Sequence, residues 1–164
     1  MSTVPAIATI ATFLLLVMVH FLIPVFRKPR IKVCYPDGND SLSIQCATER
    51  EIALHIEHGG GLWGIDGDST GSISAFGYFP SGFSIVQARY MKTVNTRVES
   101  GPHAGRFKGY SYGVIGGFFL VPKEVEEIFF KVKAPSHTGK YEAIFVIASQ
   151  QKTYTTKELE LIVT

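Results

Sequence analysis

The chain has 164 residues, with 16 basic and 14 acidic side chains, a net charge of +2 and a hydrophobic fraction of 46%. This composition, which includes 12 Phe and 7 Tyr, is typical of a folded protein and argues against a disordered one. Because the basic residues beyond Lys32 are scattered and form no stripe, nucleic acid is not an expected partner.

The first predicted element is an uncharged apolar run from Val4 to Phe26. An α-helix of this length would extend about 34 Å, slightly more than the roughly 30 Å hydrocarbon core of a bilayer. The run is longer than the apolar region of a secretory signal, and no basic residue precedes it. We therefore predict a retained single-pass transmembrane helix, with residues 1–30 as anchor and basic flank and residues 31–164 as one domain.

The surroundings of this run give opposing indications of orientation. Four basic residues lie in the segment 27–32 directly after it, and the positive-inside rule alone would place the domain in the cytoplasm. The strand-rich, Gly-rich and Thr-rich character of the domain and a glycosylation sequon at Asn39 favour the opposite side. On balance the sequence predicts a protein of the cell membrane with an extracytoplasmic β-domain.

Two cysteines, Cys34 and Cys46, lie near the start of the domain. In an oxidising compartment a disulfide between them would stabilise the fold by about 3 kcal/mol through the loop that it closes. Two unrelated thiols are the alternative, because two cysteines are too few to define a disulfide scaffold. We predict no metal and no cofactor, since the sequence contains no CxxC motif.

Beyond residue 30, short apolar segments alternate with turn residues, as in an all-β sandwich. Segments 31–35 and 42–47 flank a Gly-containing loop and predict a hairpin. Further strands are predicted at 51–57, 72–79, 83–91, 93–99, 107–121, 125–133, 141–148 and 154–163. Parity places two sets of apolar residues on inward faces: Ile52, Leu54 and Ile56, and then Tyr141, Ala143, Phe145 and Ile147.

The segment Gly139-Lys140-Tyr141, at the entry to one of these strands, resembles the tyrosine corner of immunoglobulin-like sandwiches. In that family the Tyr hydroxyl bonds back to the backbone, and a cysteine follows two residues later, where this chain has Ala143. The predicted fold is therefore an all-β, immunoglobulin-like β-sandwich without the inter-sheet disulfide. A jelly-roll-like double sheet is the alternative.

Two aromatic segments, 72–91 and 107–119, carry large side chains on both faces of their predicted strands. One face packs in the core, and the other is free for a partner unless the core is thick. We predict a homodimer and take the interface candidates from the first segment: Tyr78, Phe79, Phe83, Ile85, Val86 and Tyr90. Because Ile85 and Val86 are adjacent, one of them must face away from the core.

Three motifs resemble chemical sites but lack the sequence context of those sites. Ser111 lies in a GxSxG pattern, yet no helix is predicted after it. Asp66 and Asp68 resemble the start of a calcium loop that has no acid at its twelfth position. His55 and His58 would point to opposite faces of a strand and cannot share a metal. The sequence therefore predicts a binding protein and not an enzyme.

In architecture, length and its opening segment VPAIATIATF, the whole chain resembles the membrane-anchored β-sandwich stator protein of the archaeal flagellum, the archaellum. The resemblance implies a cell-envelope protein of motility that holds the filament base against the surface-layer (S-layer) protein and self-associates through a sheet face. The alternatives are an accessory single-helix subunit of a larger membrane complex, a tethered hydrolase that uses Ser111, and a calcium-dependent binder that uses Asp66 and Asp68.

Overall fold

We describe the fold from a computed structural model that covers residues 4–62, 68–88, 96–97, 110–150 and 152–164. This part of the chain forms a helical segment followed by strands in two sheets, which confirms the all-β prediction for the domain. The strands are β1 (Ile31–Cys34), β2 (Ser41–Ile44), β3 (Glu49–His58), β4 (Ile73–Phe79), β5 (Ser84–Ala88), β6 (Thr96–Arg97), β7 (Ser111–Phe118), β8 (Val125–Lys133), β9 (Gly139–Ala148) and β10 (Thr153–Val163).

The N-terminal segment does not form the single long helix that the sequence predicts. Helix α1 (Val4–Val17) passes into a π-helical turn at Met18–Leu22, and the short helix α2 (Ile23–Phe26) follows. Pro24 has no amide hydrogen for the carbonyl four residues earlier, and the wider turn before it accommodates this gap.

This division of the segment overturns the predicted anchor. Helix α1 has 14 residues, fewer than the roughly 20 that a bilayer core requires. Within the described ranges, none of the helices combines the length and the apolar character needed to cross a membrane. The prediction of a transmembrane anchor from Val4 to Phe26, and the membrane localisation derived from it, are therefore wrong.

The strands form two layers whose inward faces share one hydrophobic core. The four-stranded sheet has the order β1-β3-β8-β5, and the six-stranded sheet has the order β2-β10-β9-β4-β7-β6. Paired strands run antiparallel except β2 and β10, which run parallel. Ile52, Leu54 and Ile56 of β3 are fully buried between the layers, which confirms the alternation predicted for this strand.

The predicted hairpin between the first two strands is wrong, although its turn is present. Gly38 has a φ of +77°, and its N–H donates to the Tyr35 carbonyl (2.9 Å). After this turn the chain crosses to the other layer, because β1 pairs with β3 whereas β2 pairs with β10. Cys34 and Cys46 flank this crossing as free thiols, so the possible disulfide between them is not formed.

A phenylalanine of one sheet fills a notch formed by two glycines of the other. A Cβ atom added to Gly77 would lie 3.0 Å from the ring of Phe130, and one added to Gly113 would lie 3.4 Å from it. The same ring packs against Phe79 and Phe145, with both centroid distances at 5.9 Å. Glycine is therefore required at Gly77 for close packing of the two layers.

The predicted tyrosine corner is present as a local hydrogen bond. The Tyr141 hydroxyl donates to the His137 carbonyl (3.1 Å) as β9 begins. A Cβ atom on Gly139 would lie 3.3 Å from the Tyr141 ring, so a larger residue there would press against the ring. On the predicted inward face of β9, Ala143, Phe145 and Ile147 are buried, and Tyr141 packs against them.

Candidate interaction site at the helix junction

The helical segment exposes apolar side chains on all sides. Residues 13–16 are consecutive, and each is more than half exposed. Successive residues are about 100° apart around an α-helix, so four in a row cover most of its circumference. Among residues 9–23, 25 and 26, whose side chains the structure describes, the exposed large apolar ones are Ile10, Phe13, Leu14, Leu15, Leu16, Met18, Val19, Phe21, Leu22, Ile23 and Val25.

Hydrogen bonds join the end of this segment to the sandwich at residues 27–30, 59, 60 and 68, which we call the junction. The Arg30 N–H donates to the Gly60 carbonyl (3.1 Å), and the Arg30 carbonyl accepts from the Gly59 N–H (2.9 Å). The Arg27 carbonyl accepts from the Asp68 N–H (2.8 Å), and Arg27 Nε lies 3.2 Å from Asp68 Oδ1. The helical segment is thus bound to the sandwich where it ends.

A buried histidine holds the two sandwich loops of the junction together. His58 is fully buried at the end of β3. Its Nδ1 accepts from the Gly60 N–H (3.0 Å), so Nε2 carries the proton and donates to the Asp68 carbonyl (2.9 Å). His58 therefore has a structural role, and it faces away from the solvent-facing His55, as strand alternation predicts.

Thr70 connects the junction to the segment between β7 and β8. Its N–H donates to the Leu120 carbonyl (2.9 Å), and its hydroxyl oxygen accepts from the Leu120 N–H (2.7 Å). The Lys123 N–H donates to the His58 carbonyl (2.8 Å). His58 and Thr70 are the buried polar residues in the described part of the chain, and both support this one end of the sandwich.

The same segment carries an apolar patch on the surface of the sandwich. Phe119 and Val121 are exposed there, as is Val125 at the start of β8, and we call these three residues the apical patch. Beyond the helical segment, the remaining large apolar side chain that is exposed within the described residues is Val86 of β5. Exposed apolar surface is therefore concentrated at the end of the sandwich that carries the junction. This site was not predicted from the sequence.

The structure places most of the predicted interface residues inside the protein. Phe79, Phe83 and Ile85 lie in the core between the layers, where they offer no surface to a partner. Ile85 is 3% exposed and Val86 is 43% exposed, which confirms that these neighbours face opposite ways. Tyr90 lies outside the described residues.

Tyr78 is buried as well, but on the outer face of the six-stranded sheet. It belongs to a second apolar cluster with Tyr112, Ile144 and Val146, in which the Tyr78 and Tyr112 rings stack with centroids 5.6 Å apart. Burial raises the pKa of Tyr78 to about 12, with the nearby Tyr112 as a smaller cause. Aromatic residues of both parities are thus buried, those of one parity in the core between the sheets and Tyr78 and Tyr112 in this second cluster, whereas Phe119 is exposed.

The structure does not supply the features that the chemical-site motifs of the sequence lack. Ser111 is the first residue of β7 and continues into a strand, whereas a nucleophilic serine of this pattern precedes a helix. Asp68 is engaged by Arg27 at the junction, and Asp66 lies outside the described residues. Within those residues, no group of three His, Cys, Asp or Glu side chains could hold a metal ion.

Comparisons with known proteins give no assignment. No family model and no curated protein matches the sequence. Among solved structures, the chain is similar to a family 123 glycoside hydrolase from Clostridium perfringens that acts on glycolipid glycans, at 7% identity and a TM-score of 0.42. The match covers 83% of this chain and 27% of the hydrolase, so the chain spans about a quarter of that protein.

Two further solved structures match over most of their own length. AvmM, which catalyses macrocyclization in alchivemycin A biosynthesis, is 8% identical with a TM-score of 0.41, and the match covers 84% of this chain and 89% of AvmM. The N-terminal domain of PorA is 11% identical with a TM-score of 0.34, with coverages of 82% and 98%. At these TM-scores the similarities do not support an inference about function.

Proposed function

We propose that this protein is a non-enzymatic binding and structural subunit, in which a helical segment embedded in a protein partner carries a β-sandwich as one unit. The observation that supports this most is the concentration of exposed apolar surface on the helical segment and the apical patch. Both surfaces adjoin a junction held by buried hydrogen bonds. Exposed apolar residues that are concentrated in one region are typical of interaction sites.

The distribution of apolar residues around the helix indicates the kind of partner. A helix that packs against another helix covers only one stripe of it. Such a contact is enough to bury the apolar face of an amphipathic helix. Residues 13–16 are exposed on successive sides, so their burial requires contact from more than one direction. This favours a larger partner that supplies several elements around the helix, in agreement with the accessory-subunit alternative.

The resemblance to the archaellum stator gives the proposal its most specific form. In that form the sandwich binds the surface-layer protein, tethers the filament base of the archaellum to it and self-associates as a homodimer. The Tyr141–His137 hydrogen bond supports the finer proposal that the sandwich is immunoglobulin-like. Among the predicted interface residues that the structure describes, Val86 is the exposed one and is therefore the position at which we look for a second copy.

Site-specific photo-crosslinking in intact cells tests this proposal. A photoreactive residue replaces Phe13 on the helix, Val121 in the apical patch, or Val86 on β5 in the full chain. Val121 and Val86 are a matched pair, because both are valines and their exposed fractions are 46% and 43%. We expect Phe13 and Val121 to form adducts with one and the same other protein, which mass spectrometry identifies, and Val86 to lack that adduct.

The mass of each adduct separates the outcomes. An adduct of twice the chain mass at Val86 supports the homodimer. The proposal fails if Phe13 and Val121 give no adduct with another protein, or if all three positions capture the same set of proteins.

A further inference from the structure

Three side chains with reactive groups lie in one row across the outer face of the four-stranded sheet. Cys34 of β1 lies opposite His55 of β3, and His55 lies opposite Glu127 of β8. Each alternates with buried residues of its own strand, such as Val33 and Leu54, so the three share the solvent-facing side. This row could not be predicted from the sequence because its members are distant along the chain.

A carboxylate orients the imidazole of His55 from one side. His55 Nε2 lies 3.4 Å from Glu127 Oε1, and both side chains remain partly open to solvent. An ion pair with this exposure contributes little to stability by itself. The pair does, however, orient the imidazole ring of His55. Because Nε2 is turned to Glu127, Nδ1 is the nitrogen left for another partner.

Cys34 is the cross-strand neighbour of His55 on β1, whereas Glu127 is its neighbour on β8, so the two flank His55 from opposite strands. Residues directly opposite each other in an antiparallel pair have Cβ atoms about 4.5–5.5 Å apart, which is within reach of a thiol and an imidazole. Cys34 is half-buried, so part of the residue is open to solvent. A nucleophile beside a base that a third group orients is the arrangement that activates thiols in proteins.

We propose that Cys34, His55 and Glu127 form a thiol–disulfide exchange site whose substrate is a small disulfide in solution. His55 accepts the proton of the Cys34 thiol, and the thiolate attacks one sulfur of the disulfide. The bond from Cys34 Sγ forms as the sulfur–sulfur bond of the substrate breaks, and the leaving thiolate takes the proton from His55. Cys34 is thereby oxidised to a mixed disulfide, and half of the substrate is reduced to a thiol.

Cys46 provides an internal control for accessibility. It is also half-buried, but it follows β2 in the other layer and packs against the hydrophobic core. Its N–H donates to the Thr164 carbonyl (2.9 Å). The variants Cys46→Ser and Cys34→Ser therefore report the reactivity of one thiol at a time in the same fold.

The experiment measures the second-order rate constant of the full chain with dithiobis(nitrobenzoate), from the absorbance of the released thionitrobenzoate. With Cys46→Ser, which retains Cys34, we expect a rate constant at least about tenfold higher than with Cys34→Ser. Adding His55→Ala removes the base and also opens access to the sulfur. We expect this change to slow Cys34 by about tenfold, whereas a ring that only shields the thiol would give a faster reaction.

Glu127 is a positioning residue that acts through His55, and a double-mutant cycle tests this. Glu127→Gln keeps the size of the side chain and removes its charge. We expect it to slow Cys34 by roughly threefold when His55 is present and to have no effect in the His55→Ala background. The thermal unfolding midpoints of all variants control for the fold. Equal rates for Cys34 and Cys46, or an unchanged or faster rate in His55→Ala, would overturn the proposal.

Discussion

The two sheets of this protein share one core, yet their outer faces are built from different chemistry. The outer face of the four-stranded sheet carries charged pairs, among them Lys131 and Glu49 at 2.8 Å. On the six-stranded sheet, the outer face of β4, β7 and β9 carries a second apolar cluster in which Tyr78 and Val146 are buried, and the charged pair Lys140 and Glu160 lies where β9 begins. A strand that is apolar on both parities, such as the second half of β9, is therefore buried on both faces, whereas an alternating strand, such as β3 or β10, has one face in solvent.

The largest expected effect separates the two faces of strand β5. Ile85→Lys places an unpaired charge in the core, and we expect it to destabilise the fold by about 4 kcal/mol or more. Val86→Lys leaves the charge in solvent, so its effect should stay within about 0.5 kcal/mol. Urea unfolding of both variants measures the difference. Similar losses of stability in the two variants would contradict the orientation of β5.

The second prediction concerns the two faces of strand β9. Phe145 and Val146 are both fully buried, but they belong to different apolar clusters. We expect Phe145→Ala to cost about 3–5 kcal/mol and Val146→Ala about 2 kcal/mol, from the buried groups removed and the cavities left. Urea unfolding measures both values. If Val146→Ala proves neutral, the outer face of this sheet is not packed, and the contrast between the sheets fails.

The third prediction follows from the buried hydroxyl of Tyr78. Its pKa in the folded state is raised to about 12, above the ordinary value of 10.0. The stabilising effect of the neutral hydroxyl is therefore complete below pH 10 and is lost as the pH rises through 12. We expect the native protein to lose more stability across this range than Tyr78→Phe. Thermal unfolding at alkaline pH measures this, and parallel curves for the two proteins would contradict the burial of Tyr78.

The smallest effect is expected on the charged face. The hydrogen bond from Lys131 holds the pKa of Glu49 below its ordinary value. Because the pKa is lowered, the contribution of the pair is present above the pKa of the unfolded state and is lost as the pH falls through the pKa of the folded state. The stability difference between the native protein and Glu49→Gln should be small at neutral pH and should vanish in acid. A difference that grows in acid would contradict this assignment.

Features encoded by neighbouring residues could be predicted from the sequence. The bounds of β8, Val125–Lys133, agree with the prediction, and so does the buried row of β3. Both depend on a period of two, which is visible within a few residues. The hydrogen bond of Tyr141 also spans only four positions. Local pattern was therefore sufficient for strands and their inward faces.

Features that join distant segments could not be predicted in this way. Pairing of β2 with β10 replaced the expected hairpin, because a good turn does not determine which strand its continuation will meet. The junction depends on His58 and Asp68, which are ten positions apart and are joined only when the chain folds. An apolar run indicates burial but does not distinguish a membrane from a protein partner, and the pattern alone does not show where the helix of this run is interrupted.

The crossing of the chain after β1 has a consequence for the rate of folding. Ser41 must pair with Glu160 to complete one sheet, and Glu49 must pair with Lys133 to complete the other. Closing such long loops costs entropy before any contact compensates for it, and proteins dominated by distant pairings fold in roughly milliseconds to seconds. The antiparallel ladder of β9 and β10 is local in the chain. We therefore expect this hairpin to form first during refolding and to serve as the template on which β4 and then β2 assemble.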